Sequence, residues 1–164
     1  LVNWYSPAED GMPTILFFHG NAGEIGYRGN RLEAYKTAGF GALFVSWRGY
    51  GGSTGTPSEE GIITDALSAY DWLIAQGVTS QMIAVVGESM GTGAAVQLAS
   101  QKPVGALLLG APFNAAVEIA QEQYPFVPVG LLMRDQFRSV DHAAKIAAPT
   151  LIIHGNEDRV VPFA

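Results

Sequence analysis

With 164 residues, of which 48% are hydrophobic and 15% charged, the chain is large enough for one domain and suits a sheet buried on both faces. The formal net charge of −6, without a basic cluster, argues against nucleic acid as a partner. The absence of cysteine excludes disulfide scaffolds, thiol catalysis and cysteine-ligated metals, and the longest apolar run, Val104–Phe113, is too short to span a bilayer.

Six short apolar segments have the composition of β-strands, and helix-forming segments separate most of them. Strands that alternate with helices imply right-handed βαβ units and a mostly parallel, doubly wound sheet, so the predicted fold class is α/β. The predicted strands are Leu1–Tyr5, Thr14–Phe18, Gly41–Ser46, Met82–Val86, Gly105–Leu109 and Thr150–His154.

Three helices are predicted between these strands. They cover Arg28–Ala38, the segment from the N-cap Ser58 to Gln76, and Ser89–Gln101. The stretch Phe113–Ala148 contains prolines and apolar residues and is interpreted as a small insertion of short helices near the site. Insertions in doubly wound sheets gather beyond the carboxyl ends of the strands. All 164 residues are assigned to a single domain.

The segment Gly87-Glu88-Ser89-Met90-Gly91 lies between a predicted strand and a predicted helix. This is the arrangement of a nucleophile elbow, in which a strained turn lifts a serine hydroxyl above the edge of the sheet. The turn leaves no room for side chains at its two flanking positions, and glycines meet that demand. Ser89 is therefore the candidate nucleophile.

A serine nucleophile also needs donors for the negative charge that develops on the attacked carbonyl oxygen. The backbone amide of Met90, directly after the serine, is one candidate donor. The glycine-rich loop after the strand Thr14–Phe18 is the expected source of the second, and Asn21 carries the preferred amide. His19 in this loop is interpreted as structural, because it precedes the nucleophile in the chain.

The carboxylate of a catalytic triad is expected after a later strand, and Asp158 follows the last predicted strand. Glu157 and Asp141 are alternatives, and an aspartate at this place could also simply form the turn. The expected chain order then requires a histidine after the acid. His142 precedes the acid, and His154 is too close to it in the chain. We therefore expect the sequence to be truncated before its catalytic histidine, with a chain that has lost its base as the alternative.

The glycine-rich segment from Arg48 to Gly55 does not match a phosphate-binding loop. It lacks the terminal Gly-Lys-Ser/Thr, and Thr54 stands where a dinucleotide motif has its last glycine. We interpret the segment as a structural turn beneath the site, in which Arg48 donates hydrogen bonds to loop carbonyls. The three histidines are scattered without paired ligand spacing, so neither a metal nor another cofactor is expected.

Together these motifs resemble the α/β-hydrolase fold family, and most closely a small subgroup of serine hydrolases with little cap domain. The resemblance covers nearly the whole chain and implies that Ser89 is the nucleophile, Asp158 the acid, and the Met90 and Asn21 amides the oxyanion hole. The family's first strands, last strand and last helix are missing, so the sheet is expected to be truncated at both ends. The matching segments are His19–Gly23 (H-G-N-A-G), Ser46–Gly55, Gly87–Gly91 and His154–Pro162.

The residues predict a serine hydrolase that cleaves a carboxylic ester or thioester through an acyl-enzyme on Ser89. An apolar cluster that includes Tyr124, Phe126 and Leu132 could line an acyl pocket or could simply pack on the sheet. A serine peptidase or amidase and a non-catalytic interaction domain remain alternatives. The expected partner is a small-molecule acyl ester and the expected location is the cytoplasm. Membrane attachment stays open, because residues before Leu1 are expected to be missing.

Overall fold

A computed structural model describes residues 1–21 and 24–161 of the chain. Within these residues, six strands form one sheet in the order β1-β3-β2-β4-β5-β6. The strands are β1 (Asn3–Ser6), β2 (Thr14–Phe18), β3 (Gly41–Val45), β4 (Ile83–Glu88), β5 (Ala106–Gly110) and β6 (Thr150–Ile153). Each predicted strand is present, and β4 extends two residues beyond the predicted end, up to the residue before Ser89.

The helices lie between these strands, and in the described part of the chain none is long and apolar enough to cross a membrane. The Ser58 hydroxyl caps the second helix by accepting a hydrogen bond from the Gly61 amide (3.2 Å). The helices are α1 (Gly29–Thr37), α2 (Glu59–Ala75), α3 (Met90–Ala99), α4 (Ala116–Gln123), α5 (Val129–Leu132) and α6 (Val140–Ala143). Two 3-10 turns, Ile25–Arg28 and Ser80–Met82, precede α1 and β4.

Strands β2 to β6 pair in parallel, and only β1 runs antiparallel to its neighbour β3 among the described strands. This topology confirms the predicted α/β class with a mostly parallel sheet. The register pairs Phe18 with Gly87 and Glu88 with Gly110, so β2, β4 and β5 end side by side. The loops that follow these strands therefore meet at one edge of the sheet.

The middle of the sheet is covered on both faces, as a doubly wound fold requires. Alternate residues of β2 point to opposite sides, and all five are buried. Leu16 and Phe18 pack in a cluster with residues of α2 and α3, whereas Ile15 and Phe17 pack on the other face with Leu32 of α1. This two-sided core holds the carboxyl ends of the strands in fixed positions. All four residues of β6, by contrast, are exposed.

Candidate active site

Ser89 lies in the turn between β4 and α3, with φ 49° and ψ −121°. A residue with a β-carbon rarely adopts such a conformation, so hydrogen bonds must hold it in place. The Ser89 amide donates to the carbonyl of Gly110 (2.9 Å), and its carbonyl accepts from the amide of Thr92 (2.8 Å) and from the Thr92 hydroxyl (2.6 Å). The serine is thus fixed by β5 on one side and by the first turn of α3 on the other.

The two glycines of the motif are required by close backbone contacts. A β-carbon at Gly87 would lie 2.5 Å from the carbonyl oxygen of Gly91. A β-carbon at Gly91 would lie 2.2 Å from the carbonyl oxygen of Phe18, at the end of β2. Both distances are far inside van der Waals contact, so the steric requirement predicted for these two positions is confirmed.

Backbone strain is concentrated around this turn. Among the described residues, Ser89, Ala111 (φ 50°) and Phe137 (φ 43°) are the non-glycine positions with positive φ. Ala111 directly follows β5 and donates its amide to the carbonyl of Ile153 in β6 (2.8 Å), while Phe137 shares a cavity with Ser89. Strained residues of this kind persist where the surrounding structure over-determines them, which is typical of active sites.

The two residues predicted to supply the oxyanion amides, Met90 and Asn21, line the same cavity as Ser89. Met90 is the first residue of α3, where a helix leaves its amides without intrahelical partners and presents its positive end. A β-carbon built on Gly20 would lie 3.1 Å from Ser89 Cβ and 3.7 Å from its Oγ, so the loop after β2 touches the nucleophile. Asn21 follows and lines the same cavity as Ser89. Ala22 and Gly23, the rest of the H-G-N-A-G segment, lie outside the described residues.

Tyr50 is a site residue that sequence reasoning missed. Its hydroxyl donates a short hydrogen bond to Oδ1 of Asn21, and it lines the cavity that contains Ser89. Burial raises the pKa of the Tyr50 phenol, so the hydroxyl keeps its proton as a donor at neutral pH. Tyr50 lies in the segment from Arg48 to Gly55, which the sequence predicts only to be a structural turn beneath the site.

His19 begins the predicted oxyanion loop, His19–Gly23, and is fully buried. Its Nδ1 lies 2.7 Å from the Gly20 carbonyl oxygen, which requires the tautomer protonated on Nδ1, and its own carbonyl accepts from the Trp47 indole (2.9 Å). Burial lowers the pKa of His19, so the ring is neutral. These contacts support the structural interpretation of this histidine.

Asp158 lies in the turn after β6. Its Oδ1 accepts hydrogen bonds from the amides of Val160 (2.8 Å) and Val161 (2.9 Å). The bond from Val161 and then that from Val160 lower the pKa of Asp158, with a smaller contribution from nearby His154. Strands β4 and β6 run parallel, so the turns that follow them, with Ser89 and Asp158, lie at the same edge of the sheet. The two strands are two strand spacings apart, about 10 Å.

The other acidic and basic candidates are placed differently. His154 Nε2 donates to the carbonyl of Val161 (2.9 Å), which keeps the imidazole within the Asp158 turn. Asp141 pairs with the guanidinium of Arg138 (2.8 Å), and Glu157 is exposed. The predicted site residues Ser89, Met90, Asn21 and Asp158 thus all follow the carboxyl ends of β2, β4 or β6, at one edge of the sheet.

Residues 13–148 match the alpha/beta hydrolase fold family. The chain belongs to this family.

Individual relatives extend this result. An uncharacterised protein of Mycobacterium tuberculosis is 39% identical over 165 residues, which cover 99% of this chain and 59% of that protein. The lysophosphatidylserine lipase ABHD12 of Danio rerio is 34% identical over 182 residues, covering 98% of this chain and 47% of the lipase. The crystal structure of an alpha-beta hydrolase from Vibrio vulnificus superposes with a TM-score of 0.75 at 28% identity, covering 88% and 57% of the two chains. These similarities support a hydrolase. The chain spans roughly half the length of the curated relatives it matches.

A cavity of about 400 Å³ contains Ser89, Met90, Asn21 and Tyr50. Its apolar wall is formed mainly by residues of α4 and of the segments on either side of it. The principal apolar lining residues are Ile62, Phe113, Ala116, Ile119, Ala120, Met133, Phe137 and Val161. The cavity therefore has an apolar wall, and Ser89 lines the same space.

The predicted pocket residues do not line this cavity. Tyr124, Phe126 and Leu132 are 60%, 99% and 68% exposed and point away from the site. All three lie beyond the end of α4. Tyr124 and Phe126 belong to the proline-containing segment between α4 and α5, and Leu132 is the last residue of α5. The spacing of Ala116, Ile119, Ala120 and Gln123, which repeats at helical intervals, was the signal for the inward face.

Charged groups on the cavity wall are carboxylates. Glu59 and Asp135 line it, and no lysine or arginine does so among the described residues. The oxygens of Glu59 accept hydrogen bonds from the Gln97 amide group (2.8 Å) and the Phe137 backbone amide (2.9 Å). The Glu59 amide in turn donates to Asp135 Oδ1 (2.8 Å). No group of three or more potential metal-ligating side chains occurs in the described ranges.

The predicted hydrogen-bond partners of Arg48, loop carbonyls, were wrong, because its guanidinium binds a carboxylate instead. Its guanidinium donates to the carboxylate of Asp65 through Nη2 (2.7 Å) and Nε (3.1 Å), and its backbone amide donates to Asp65 Oδ2 (3.1 Å). Asp65 is only 4% exposed, and burying such a polar group is costly unless it is paired and hydrogen-bonded. Arg48 therefore anchors the loop that carries Tyr50 to helix α2.

Proposed function

We propose that this chain carries the nucleophile, the acid and the oxyanion amides of a serine hydrolase that cleaves carboxylic esters or thioesters. The observation that carries the proposal is the backbone of Ser89, with φ 49° in a turn enforced by two glycines. Such strain costs about 1–3 kcal/mol, and Ser89 lines the same cavity as Met90 and Asn21, whose amides are the proposed donors. No packing reason in the described structure calls for a serine there.

The proposed reaction begins when Ser89 Oγ attacks the carbonyl carbon and a base accepts its proton. The Met90 and Asn21 amides donate to the oxygen that becomes negative in the tetrahedral intermediate. The intermediate collapses to an acyl-enzyme, and the alcohol or thiol leaves with the proton from the base. Water then attacks the acyl group, the base again transfers the proton, and the carboxylic acid leaves with Ser89 regenerated.

The proposed role of Asp158 is to orient and stabilise the base, a histidine that the family's order places after it. Two backbone amides hold Oδ1 and keep the carboxylate ionised. Oδ2 lies 3.7 Å from His154 Nε2, which is too long for a hydrogen bond, so it keeps the capacity to accept an imidazole N–H. His154 is not assigned as the base, because its Nε2 donates to Val161.

The proposed substrate has an apolar acyl group of modest size. The cavity of about 400 Å³ and its lining by Ile119, Met133 and neighbouring apolar residues support this assignment. The carboxylates of Glu59 and Asp135 on the wall favour neutral or cationic esters over anionic ones. The lysophosphatidylserine lipase among the relatives supports a lipid-like acyl chain, whereas its anionic headgroup is not carried over.

The test is covalent labelling of the full-length protein with a fluorophosphonate, followed by intact mass and peptide mapping. We expect a single adduct on Ser89, which is absent in Ser89→Ala and strongly reduced in Asp158→Asn. Ser68→Ala is the matched control, because Ser68 is exposed on α2 and bonds only to the Thr64 carbonyl. Absence of an adduct on Ser89 would reject the proposal in favour of a non-catalytic scaffold.

A further inference from the structure

Glu88, the residue before Ser89, forms ion pairs with two arginines. Its Oε2 lies 3.1 Å from Arg28 Nη2, and its Oε1 accepts a short hydrogen bond from Arg31 Nη1. The three side chains are 25%, 31% and 38% exposed respectively, so the cluster is only partly accessible to solvent. None of these residues is used in the mechanism above.

The arginines are themselves held in place. Arg28 ends the 3-10 turn Ile25–Arg28, which follows the oxyanion loop, and Ile25 is 2% exposed in the core. Arg31 belongs to α1, and its guanidinium lies 5.2 Å from the centre of the Phe17 ring, within the range of a cation–π contact. Glu88 is therefore bound to the chain segment that leaves the oxyanion loop.

Gly20, near the beginning of the loop, also lies close to Glu88. A β-carbon on Gly20 would lie 3.2 Å from the carbonyl oxygen of Glu88, close to its contact with Ser89. Gly20 directly precedes Asn21, and Arg28, which follows it in the chain, pairs with the Glu88 carboxylate. Described residues on both sides of Asn21 in the chain therefore approach Glu88.

The charges have a second consequence. A lone carboxylate next to Ser89 would oppose the negative charge that develops on the substrate oxygen. Two guanidinium groups against one carboxylate reverse this sign, and they do so with fixed groups on structured elements.

We propose that Glu88, together with Arg28 and Arg31, is a positioning unit that fixes the oxyanion loop relative to Ser89. The inference rests on the proposed function. Glu88 does not touch the substrate; it acts by keeping the Asn21 amide at the distance from Ser89 that the tetrahedral intermediate requires. A displacement of about 1 Å at such a donor can cost up to about 100-fold in rate.

The experiment compares Glu88→Gln with Glu33→Gln in the full-length protein. Glu33 is a matched control, since it forms an exposed ion pair with Lys36 (2.9 Å) on α1, the helix that also carries Arg31. For Glu88→Gln we expect the labelling rate by fluorophosphonate and kcat to fall about tenfold, with KM within about twofold. Glu33→Gln should match the wild type. Because the cluster is partly exposed, 1 M NaCl should slow the wild type and leave Glu88→Gln nearly unchanged.

A cycle with Arg31→Gln tests whether the residues act as a unit. The double variant should be no slower than the slower single variant, and Arg31→Lys should retain most of the rate because it keeps the charge. Fold-losses that multiply in the double variant would overturn the inference. If Glu88→Gln fails to fold, Arg31→Gln and Arg31→Lys carry the same comparison.

The outcomes separate this inference from the proposed function. If the wild type is not labelled on Ser89, the proposed function fails, and this inference fails with it. If the wild type is labelled and Glu88→Gln reacts at the same rate, only the positioning role is rejected. A lower melting temperature of Glu88→Gln with an unchanged labelling rate would likewise show a purely structural ion cluster.

Discussion

Replacing Gly91 with alanine should destabilise the fold and slow the nucleophile together. The added β-carbon would lie 2.2 Å from the carbonyl oxygen and 2.7 Å from the carbonyl carbon of Phe18, and 2.9 Å from the carbonyl oxygen of His19. These are backbone atoms at the end of a fully buried central strand, so no flexible side chain can move aside. To relieve the contact, α3 must shift away from β2 by about 1 Å, which would carry Met90 away from the substrate oxygen.

The magnitude follows from overpacking in a rigid core. Such insertions cost about 1–3 kcal/mol, and a contact with backbone belongs at the upper end. For a domain of this size, about 3 kcal/mol corresponds to a fall of roughly 6–12 °C in melting temperature. The labelling rate by fluorophosphonate should fall at least about tenfold at a temperature where the variant is folded.

Gly29→Ala is the matched control for this substitution. Gly29 begins α1, and nothing lies within 4 Å of the position where its β-carbon would be. Alanine there should be neutral or stabilising by up to about 1 kcal/mol, because alanine has the higher helix propensity. Thermal unfolding and labelling are measured for both variants. Gly91→Ala with wild-type stability and labelling rate would refute the steric account of the turn.

Three further predictions concern the site. Tyr50→Phe removes the hydrogen bond to the oxyanion loop and should lower kcat about tenfold with little change in KM, whereas Tyr27→Phe, at a ring that is 76% exposed, should have no effect. Amide hydrogen bonds lower the pKa of Asp158 below its ordinary 3.8, so its stabilising contribution is complete above that value and is lost as the pH falls through the lowered pKa. Melting temperatures measured from pH 6 down to pH 2 should therefore converge for the wild type and Asp158→Asn; curves that stay parallel would contradict this. Ile119→Ser should lower kcat/KM for an octanoate ester about tenfold relative to acetate, and Phe126→Ser should leave this ratio unchanged.

The sheet and the nucleophile turn could be predicted from the sequence because local rules dominate there. Continuous apolar runs specify buried parallel strands, and β2 and β3 occur at the predicted places to within one residue. The glycines around Ser89 have a steric reason that any strand-turn-helix of this shape shares. Parallel pairing then places the turns after the strands at one edge without further information.

The side-chain partners could not be predicted in the same way. Arg48 pairs with Asp65, and Tyr50 pairs with Asn21, across segments that only the folded chain brings together. The sequence does not show which residues become neighbours in the fold, so neither partner could be named from it. Asp65 lies on the buried face of α2 with Ile62 and Ala66, so a charged residue among these apolar positions was the available signal.

The prediction of the residues that line the cavity failed for a different reason. The apolar residues Tyr124, Phe126 and Leu132 are predicted as candidates to line the pocket, but all three are exposed. Hydrophobicity alone does not state which way a side chain points, and roughly half of a folded surface is apolar. The helical period of α4 does state it, because residues three and four apart share one face.

The acidic wall of the cavity follows from the scaffold itself. Glu59 holds the strained amide of Phe137 and the side chain of Gln97, so it joins α2, α3 and the segment before α6. Phe137 in turn lies against Gly93, where a β-carbon would approach its ring to 2.8 Å. Removing this carboxylate would release a buried backbone amide, at a cost of about 1–3 kcal/mol. A negative charge beside the nucleophile is therefore built into this wall of the cavity. Substrate selection must work around it, which is the physical reason to expect neutral or cationic esters here.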